Sequence, residues 1–329
     1  MPVVRSTYTA PPLLRGGHRQ TLVASLLRRV DFAYDTRERI PTPDDDFLLL
    51  DWAQPADPAP ASRIAVLTHG LEGATDRPYM RGMARALRRR GWAVCAWNLR
   101  SCGGPLNRQP TTYHSGKTED LSTVLRHVAA QGYDDIALVG FSLGGNLTLK
   151  YLGERGPALD DRIRGAVAIS TPVDLQASSH RIDAWSNWHY TQYFLRSLRP
   201  KIRAKAEQHP SAVRTDALPH INGLRDFDDA YTGPLNGFRD ADTYYREASS
   251  KPLLPDIAVP TLLLNAADDP FLPESCYPTA IAAQHDALTL EVPERGGHVG
   301  FVSFNGDGTY WSERRTTAFL TTAEARGTR

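Results

Sequence analysis

The sequence predicts an α/β protein, in which helices cover both faces of a mostly parallel sheet. Two observations predict this class. Short apolar, β-branched runs alternate with helical periodicities from about residue 46 onward. The composition is that of a soluble globular protein, with 41% hydrophobic and 23% charged residues over 329 positions. We expect residues 1–45 to form an N-terminal arm that packs on the core, and residues 46–329 to form the main domain.

Seven strands and five helical segments are predicted within this domain. The strand candidates are residues 47–52, 64–68, 92–97, 136–139, 166–169, 261–264 and 288–292. The helical patterns cover residues 78–90, 118–130, 145–154, a segment after Pro273, and 311–325. A proline at the start and a glycine after the end punctuate the first of these helices. The Pro/Ala-rich stretch at residues 55–61 is predicted to be a surface connection.

One long interval, residues 174–257, interrupts the alternation of strands and helices. A structureless loop of this length is implausible in a compact domain, so we predict a mostly helical cap insertion. Aromatic residues occur in it at spacings that fit one helical face: Trp185, Trp188, Tyr190, Tyr193 and Phe194. This face either packs on the main sheet or also covers a substrate cleft.

Charge and cysteine content weigh against several kinds of partner. With 38 Lys and Arg against 37 Asp and Glu, the net charge of +1 gives no reason to expect nucleic acid or an anionic membrane as the main partner. Residues 1–30 contain no uninterrupted apolar stretch, so we expect no signal peptide and no integral membrane segment. Cys95, Cys102 and Cys276 form no disulfide or metal-binding pattern, which favours a reducing compartment and a cytoplasmic location.

The heptapeptide GFSLGGN (140–146) places Ser142 between glycines two residues to either side. It follows a predicted strand and precedes a predicted helix, which is the context of a nucleophile elbow. Small residues at Gly140 and Gly144 let such a turn close, and the serine hydroxyl then projects from the edge of the sheet. The sequence therefore predicts Ser142 as a nucleophile and the amide of Leu143 as an oxyanion donor.

A serine nucleophile needs a base and an acid that orients the base, and both are expected after late strands. Asp268 and Asp269 follow the strand predicted at residues 261–264, and His298 lies between glycines after the last predicted strand. Either aspartate could be the acid. The Asp-Pro-x-x-Pro pattern favours Asp269, with Asp268 as the alternative. The loop after residues 64–68 is expected to supply the second oxyanion donor, the amide of Leu71, while His69 braces that loop.

These residues lie within longer motifs that resemble the YheT-like branch of the α/β-hydrolase superfamily. The motifs are PPLLRGGHRQT (11–21), THGLEG (68–73), NLRSCGGPLN (98–107), YHSGKTED (113–120), GFSLGGNLTLKYLGE (140–154), FDDAYTGPLNGF (227–238), DDPFLP (268–273) and GGHVGF (296–301). The resemblance implies an α/β-hydrolase fold, with a mostly parallel, eight-stranded twisted sheet, flanking helices and a helical cap. It also implies a triad of Ser142, Asp269 and His298. One departure is Ser101, where a glycine is expected.

The expected function is cleavage of carboxylic esters by a serine hydrolase through an acyl-enzyme, without a metal or organic cofactor. The aromatic insertion suggests a small ester or lipid-like substrate with an apolar acyl chain. Two alternatives stay open: an alcohol O-acyltransferase that uses the same acyl-enzyme, and a hydrolase-fold protein that only binds a ligand. A P-loop is disfavoured because Thr111 occupies a required glycine position, and no HExxH or paired CxxC indicates a metal site. The oligomeric state is left open.

Overall fold

A computed structural model describes residues 3–55 and 62–327, with side chains up to residue 322. Most of the connection predicted at residues 55–61 lies outside this part. The described residues form one nine-stranded sheet in the order β1-β9-β8-β7-β6-β4-β5-β3-β2. The strands are β1 (Val3–Val4), β2 (Thr36–Pro41), β3 (Phe47–Ala53), β4 (Arg63–Thr68), β5 (Ala93–Asn98), β6 (Asp135–Phe141), β7 (Ile163–Ile169), β8 (Thr261–Leu264) and β9 (Leu288–Glu291).

The mostly parallel sheet predicted from the sequence is confirmed, and all seven strand candidates are present. Only the pairs β2–β3 and β3–β5 are antiparallel. The expected count of eight strands is wrong, because the described sheet has nine. The two strands that no pattern indicated, β1 and β2, are the edges of the sheet. Strand β2 reads TRERIP and β1 has two residues, so neither contains the apolar run of a buried strand.

Helices cover both faces of the sheet. They are α1 (Gly17–Leu22), α2 (Pro78–Arg88), α3 (Thr118–Ala130), α4 (Leu143–Arg155), α5 (Leu175–Asp183), α6 (Trp188–Gln208), α7 (Leu224–Phe227), α8 (Gly233–Leu235), α9 (Ala241–Ala248), α10 (Thr279–Ala283) and α11 (Trp311–Gly327). Helix α1 continues as a π-helical turn over Val23–Leu27. Within the described ranges, no helix has both the length and the apolar character needed to cross a membrane.

Alternate residues of the central strands point to opposite faces and build two layers of core. On β4, Ile64 and Val66 pack in one layer, which lies beneath α3 and α4. Ala65 and Leu67 pack in the other layer, beneath α2 and α11. Because both faces are buried, the strand reads as a continuous apolar run. The result is a rigid sheet whose carboxyl edge carries the loops described below.

Every element found between β7 and β8 is helical, which agrees with the predicted cap. The cap has a small core of its own that includes Leu195, Leu198 and Ile202 of α6. The predicted aromatic face is only partly confirmed, because Tyr190 is buried and packs on Phe271 and Phe194 packs on the cap core, but the two tryptophans do neither. Trp185 is 93% exposed, and Trp188 is also exposed, so these side chains neither pack on the sheet nor cover a cleft. The aromatic spacing predicted a helix correctly, but the buried side of α6 combines Tyr190 with aliphatic residues such as Leu195 and Leu198 and leaves out the tryptophans.

Candidate active site

The backbone of Ser142 is held in a left-handed conformation at the turn between β6 and α4. Its φ is 53° and its ψ is −121°. The backbone N–H of Ser142 donates to the carbonyl of Ile169 on β7 (2.9 Å), and its own carbonyl accepts from Gly145 (2.9 Å). Such a conformation costs a non-glycine residue about 1–3 kcal/mol, so the surroundings must impose it. These hydrogen bonds hold the turn closed and leave the side chain free at the carboxyl edge of the sheet.

Two glycines allow the turn to close as tightly as it does. A Cβ added to Gly140 would lie 2.3 Å from the carbonyl oxygen of Gly144. A Cβ on Gly144 would lie 2.5 Å from the carbonyl oxygens of Thr68 and His69 at the end of β4. No side chain fits at these distances. The glycine spacing seen in the sequence is therefore a steric requirement of this turn.

The structure brings three of the predicted residues into one chain of hydrogen bonds. Nδ1 of His298 lies 2.9 Å from Oδ2 and 3.1 Å from Oδ1 of Asp269. Nε2 of the same ring lies 2.9 Å from Oγ of Ser142. A proton on Nδ1 is donated to the carboxylate, which leaves Nε2 free to accept from the serine hydroxyl. This arrangement can draw the proton from Ser142 when its oxygen attacks an electrophile.

Asp268, the alternative acid, has a different contact. Its Oδ1 accepts from the backbone N–H of Gly297 (2.8 Å). Burial raises the pKa of this carboxyl group. The carbonyl of Asp268 also packs against α1, where a Cβ on Gly17 would lie only 1.8 Å from its oxygen. The two neighbouring aspartates thus face different partners, and Asp269 is the one beside the imidazole.

The loop that carries His298 is held by residues that the sequence did not single out. The backbone N–H of His298 donates to Oγ1 of Thr21 on α1 (2.8 Å). The next backbone N–H, of Val299, donates to Oγ of Ser170 (2.8 Å). Gly297 has a φ of 59°, and a Cβ there would lie 2.3 Å from the carbonyl of Gly17. The motif at residues 11–21, which ends at Thr21, was the available sequence signal. It did not predict the contact with His298, because the two residues are far apart along the chain.

Near Ser142, the backbone N–H groups of Leu71 and Leu143 have no acceptor within the described part of the chain. On either side of Leu71, the N–H of Gly70 donates to the hydroxyl of Tyr79 (3.0 Å) and that of Glu72 to the hydroxyl of Tyr113 (3.0 Å). A Cβ built on Gly70 would lie 3.6 Å from Oγ of Ser142, so this loop passes directly beside the serine. The arrangement leaves two free donors close to the hydroxyl.

His69 is fully buried and fixes the loop that carries Leu71. Its Nε2 accepts from the backbone N–H of Leu99 (3.1 Å), so Nδ1 carries the proton and donates to the carbonyl of Gly70 (2.8 Å). Burial lowers the pKa of His69 to about 4. A neutral ring with both nitrogens engaged fits the bracing role that the sequence predicted.

A cavity of about 110 Å³ opens beside Ser142. The cap supplies much of its apolar lining, through Leu175, Ile182, Leu198, Ile202, Leu224 and Phe227. Polar groups line it as well. Lys201 pairs with Glu72 (2.7 Å), and burial raises the pKa of Asp228 to about 6. Among the residues with described side chains, no three His, Cys, Asp or Glu are grouped to hold a metal ion.

The buried state of His69 predicts a specific pH dependence of stability. Its pKa is about 4 in the folded protein and about 6.5 when unfolded, so below pH 6.5 the unfolded chain binds a proton that the folded chain does not. The resulting stability is lost as the pH falls toward 4, by about 1.4 kcal/mol per pH unit. His69→Gln removes this dependence. Urea unfolding from pH 7 to pH 4.5 should therefore show the free-energy gap between parent and variant shrinking as the pH falls.

The same substitution at His220, an exposed position, controls for the loss of an imidazole as such. If the curves of parent and His69→Gln run parallel throughout this range, His69 is not held neutral by burial.

Known proteins are similar to this sequence over nearly its whole length. A family model described as "alpha/beta hydrolase fold" matches residues 66–304. The Escherichia coli (strain K12) protein named "Putative esterase YheT" is 35% identical over 93% of this chain and 90% of its own length. The human protein named "Phospholipase ABHD3" is 29% identical over 92% of this chain and 75% of its own length.

Comparison with solved structures supports the same fold. The Pyrococcus furiosus esterase Pf2001 matches with a TM-score of 0.57 and 17% identity, and the match covers 88% of this chain and 93% of that one. At this identity the likeness concerns the fold alone. The sequence relatives, the nine-stranded sheet and the turn at Ser142 all agree with this fold. The chain belongs to the α/β-hydrolase fold family, in its YheT-like branch.

Proposed function

We propose that this protein is a serine hydrolase that cleaves carboxylic esters through an acyl-enzyme intermediate. The observation that carries the proposal is the position of one imidazole between two partners. His298 lies 2.9 Å from the hydroxyl oxygen of Ser142 through Nε2, and 2.9 Å from the carboxylate of Asp269 through Nδ1. A hydroxyl, a base and an orienting acid in this order are what acyl transfer requires.

In the first half of the reaction, Nε2 of His298 takes the proton of Ser142 as Oγ forms a bond to the ester carbonyl carbon. The carbonyl oxygen becomes an oxyanion, and the free N–H groups of Leu71 and Leu143 donate to it. Positive potential at the start of α4 adds to this stabilisation. The bond to the alcohol oxygen then breaks, and that oxygen takes the proton from His298.

In the second half, His298 takes a proton from water as the water oxygen attacks the acyl-enzyme. The bond between Oγ and the acyl carbon breaks, Oγ recovers the proton, and the carboxylic acid leaves. Throughout both halves, Asp269 holds the ring in one tautomer and stabilises its positive charge. These residues perform the chemistry without a metal or an organic cofactor.

The cavity and the relatives support an apolar acyl group. Aliphatic side chains of the cap, such as Leu198 and Ile202, form part of its wall. The names of the relatives include an esterase and a phospholipase. We therefore propose a lipid-like ester as the substrate class. Transfer of the acyl group to an alcohol would use the same intermediate, and added alcohol reveals it as a new ester among the products.

The proposal predicts that p-nitrophenyl esters are hydrolysed, with longer acyl chains preferred over acetate. Ser142→Ala removes the nucleophile, and we expect kcat to fall by at least about 10⁴-fold. Ser178→Ala is the matched control, since Ser178 lines the same cavity but contacts Cys276 and not His298. Steady-state kinetics on the graded esters measures both variants, and circular dichroism verifies that they are folded. A Ser142→Ala variant with parental turnover would show that another group is the nucleophile.

The neighbouring aspartates offer a second, sharper test. Asp269→Asn keeps the size of the side chain but favours the wrong tautomer of His298, so kcat should fall by about 10⁴-fold. Asp268→Asn retains an oxygen that can accept from Gly297, so its kcat should stay close to the parent. Steady-state kinetics with the preferred ester measures the kcat of both variants. Equal losses, or a greater loss for Asp268→Asn, would contradict the assignment of Asp269 as the acid.

A further inference from the structure

Large apolar side chains are exposed on two segments of the molecule. We call the exposed sides of these two segments together the docking surface. On the N-terminal segment, Leu13, Leu26 and Leu27 are 81%, 69% and 71% exposed. At the start of the cap helix α6, Trp185 and Trp188 are 93% and 60% exposed. Single exposed apolar residues are common, but a group of this size on adjoining segments marks an interaction site.

The two segments touch each other beside His298. Nδ1 of His18 on α1 lies 3.2 Å from the hydroxyl of Tyr190 on α6, and the rings of His18 and His189 are 5.9 Å apart. Tyr190 in turn packs on Phe271, whose ring centroid lies 4.3 Å from that of His298. The docking surface therefore flanks the candidate catalytic histidine.

Helix α1 serves both the surface and the site. Thr21 on its buried side holds the backbone of His298 (2.8 Å). His18 and Leu22 are one turn apart on its exposed side. A partner bound to the exposed side would therefore be separated from the loop of His298 by the diameter of one helix, about 10 Å.

The charge of these segments is strongly one-sided. Residues 3–30 and 184–206 together contain ten Lys and Arg residues and no Asp or Glu, although Arg28 and Lys201 are ion-paired with Glu313 and Glu72 and acidic residues stand at positions 31, 183 and 207. Four arginines on or beside the docking surface are exposed and have no carboxylate partner within the described part of the chain: Arg15, Arg19, Arg181 and Arg196. The net charge of +1 conceals this separation, so the sequence-level argument against an anionic membrane does not hold for this side of the molecule.

We propose that the docking surface binds peripherally to an anionic phospholipid bilayer, with Trp185 and Trp188 inserted at the level of the headgroups. Indole rings with exposed apolar faces favour the boundary between headgroups and acyl chains, and unpaired arginines attract anionic headgroups. This inference goes beyond ester cleavage and does not depend on it.

A second copy of the chain fits the surface less well than a lipid does. In a two-fold symmetric dimer, the same patch lies on both sides of the interface. The exposed arginines at positions 15, 19, 181 and 196 of one copy would then face those of the other. Like charges at such an interface oppose association. An anionic bilayer supplies the missing opposite charge and the apolar layer together.

The experiment measures binding to lipid vesicles with the Ser142→Ala variant of the whole 329-residue chain, so that no lipid is consumed. Sedimentation with vesicles of equimolar phosphatidylglycerol and phosphatidylcholine should remove the protein from solution, and pure phosphatidylcholine should do so less well. High salt should weaken binding, because it screens the arginines. A failure of catalysis leaves this assay unchanged, and a failure to bind vesicles leaves the ester assay unchanged.

Two double variants separate the contributions. Trp185→Ser with Trp188→Ser should weaken vesicle binding by about tenfold or more. Arg15→Glu with Arg19→Glu should weaken it by at least about fivefold per residue, and only on anionic vesicles. The matched control is Arg126→Glu with Arg164→Glu, because both arginines are exposed and have no carboxylate partner in the described part of the chain, and Arg164 lies at the start of β7, at the opposite end of the strands. This control should bind like the parent.

Quenching of tryptophan fluorescence by brominated lipid tests insertion directly, and the tryptophan double variant should lose most of it. The proposal is overturned if the protein stays in solution with anionic vesicles at low salt, or if all three double variants bind equally. It is also overturned if sedimentation velocity shows a dimer that the tryptophan variant abolishes while vesicle binding is absent. In that case, a second copy covers the surface.

Discussion

The left-handed backbone of Ser142 is the constraint on which the rest of the site depends. It exists because β6 ends against β4 and β7 and α4 begins at once, with no room for side chains at Gly140 and Gly144. The hydrogen bond from Ser142 to Ile169 ties the turn to the neighbouring strand (2.9 Å). Its cost, of about 1–3 kcal/mol, is offset by the buried layers on both faces of the sheet. The sheet can therefore hold a single hydroxyl in a fixed position.

The imidazole reaches this hydroxyl because two distant segments position its loop. Thr21 and Ser170 accept from consecutive backbone N–H groups of the loop, and Asp269 fixes the ring. The N-terminal segment thus supports the site from outside the sheet, while its exposed side forms half of the docking surface. The cap has its own core and forms the wall of the cavity. In the proposed function, substrate selection and chemistry therefore fall to different parts of the chain.

Much of this organisation is readable from the sequence, for physical reasons. Strand β8 and helix α3 have the predicted bounds, because buried apolar runs and helical periodicity are local signals. Edge strand β2 escaped prediction because its exposed side carries charged residues. The spacing of the aromatic residues in the cap predicted a helix correctly. Which side of α6 is buried depends on the elements that pack against it, and these are not visible in the local sequence. The sequence favoured Asp269 over Asp268 only through the Asp-Pro-x-x-Pro pattern, because the fold determines where adjacent side chains point.

The central claim is that one serine, activated by its surroundings, carries the chemistry. Covalent labelling by a fluorophosphonate probe tests it most directly, since such probes react with serines whose hydroxyl is activated by a base. Mass spectrometry of the digested, labelled protein should find one adduct, on the peptide that contains Ser142, and none after unfolding in urea. An adduct on another residue, or no adduct on folded protein that hydrolyses esters, would contradict the account.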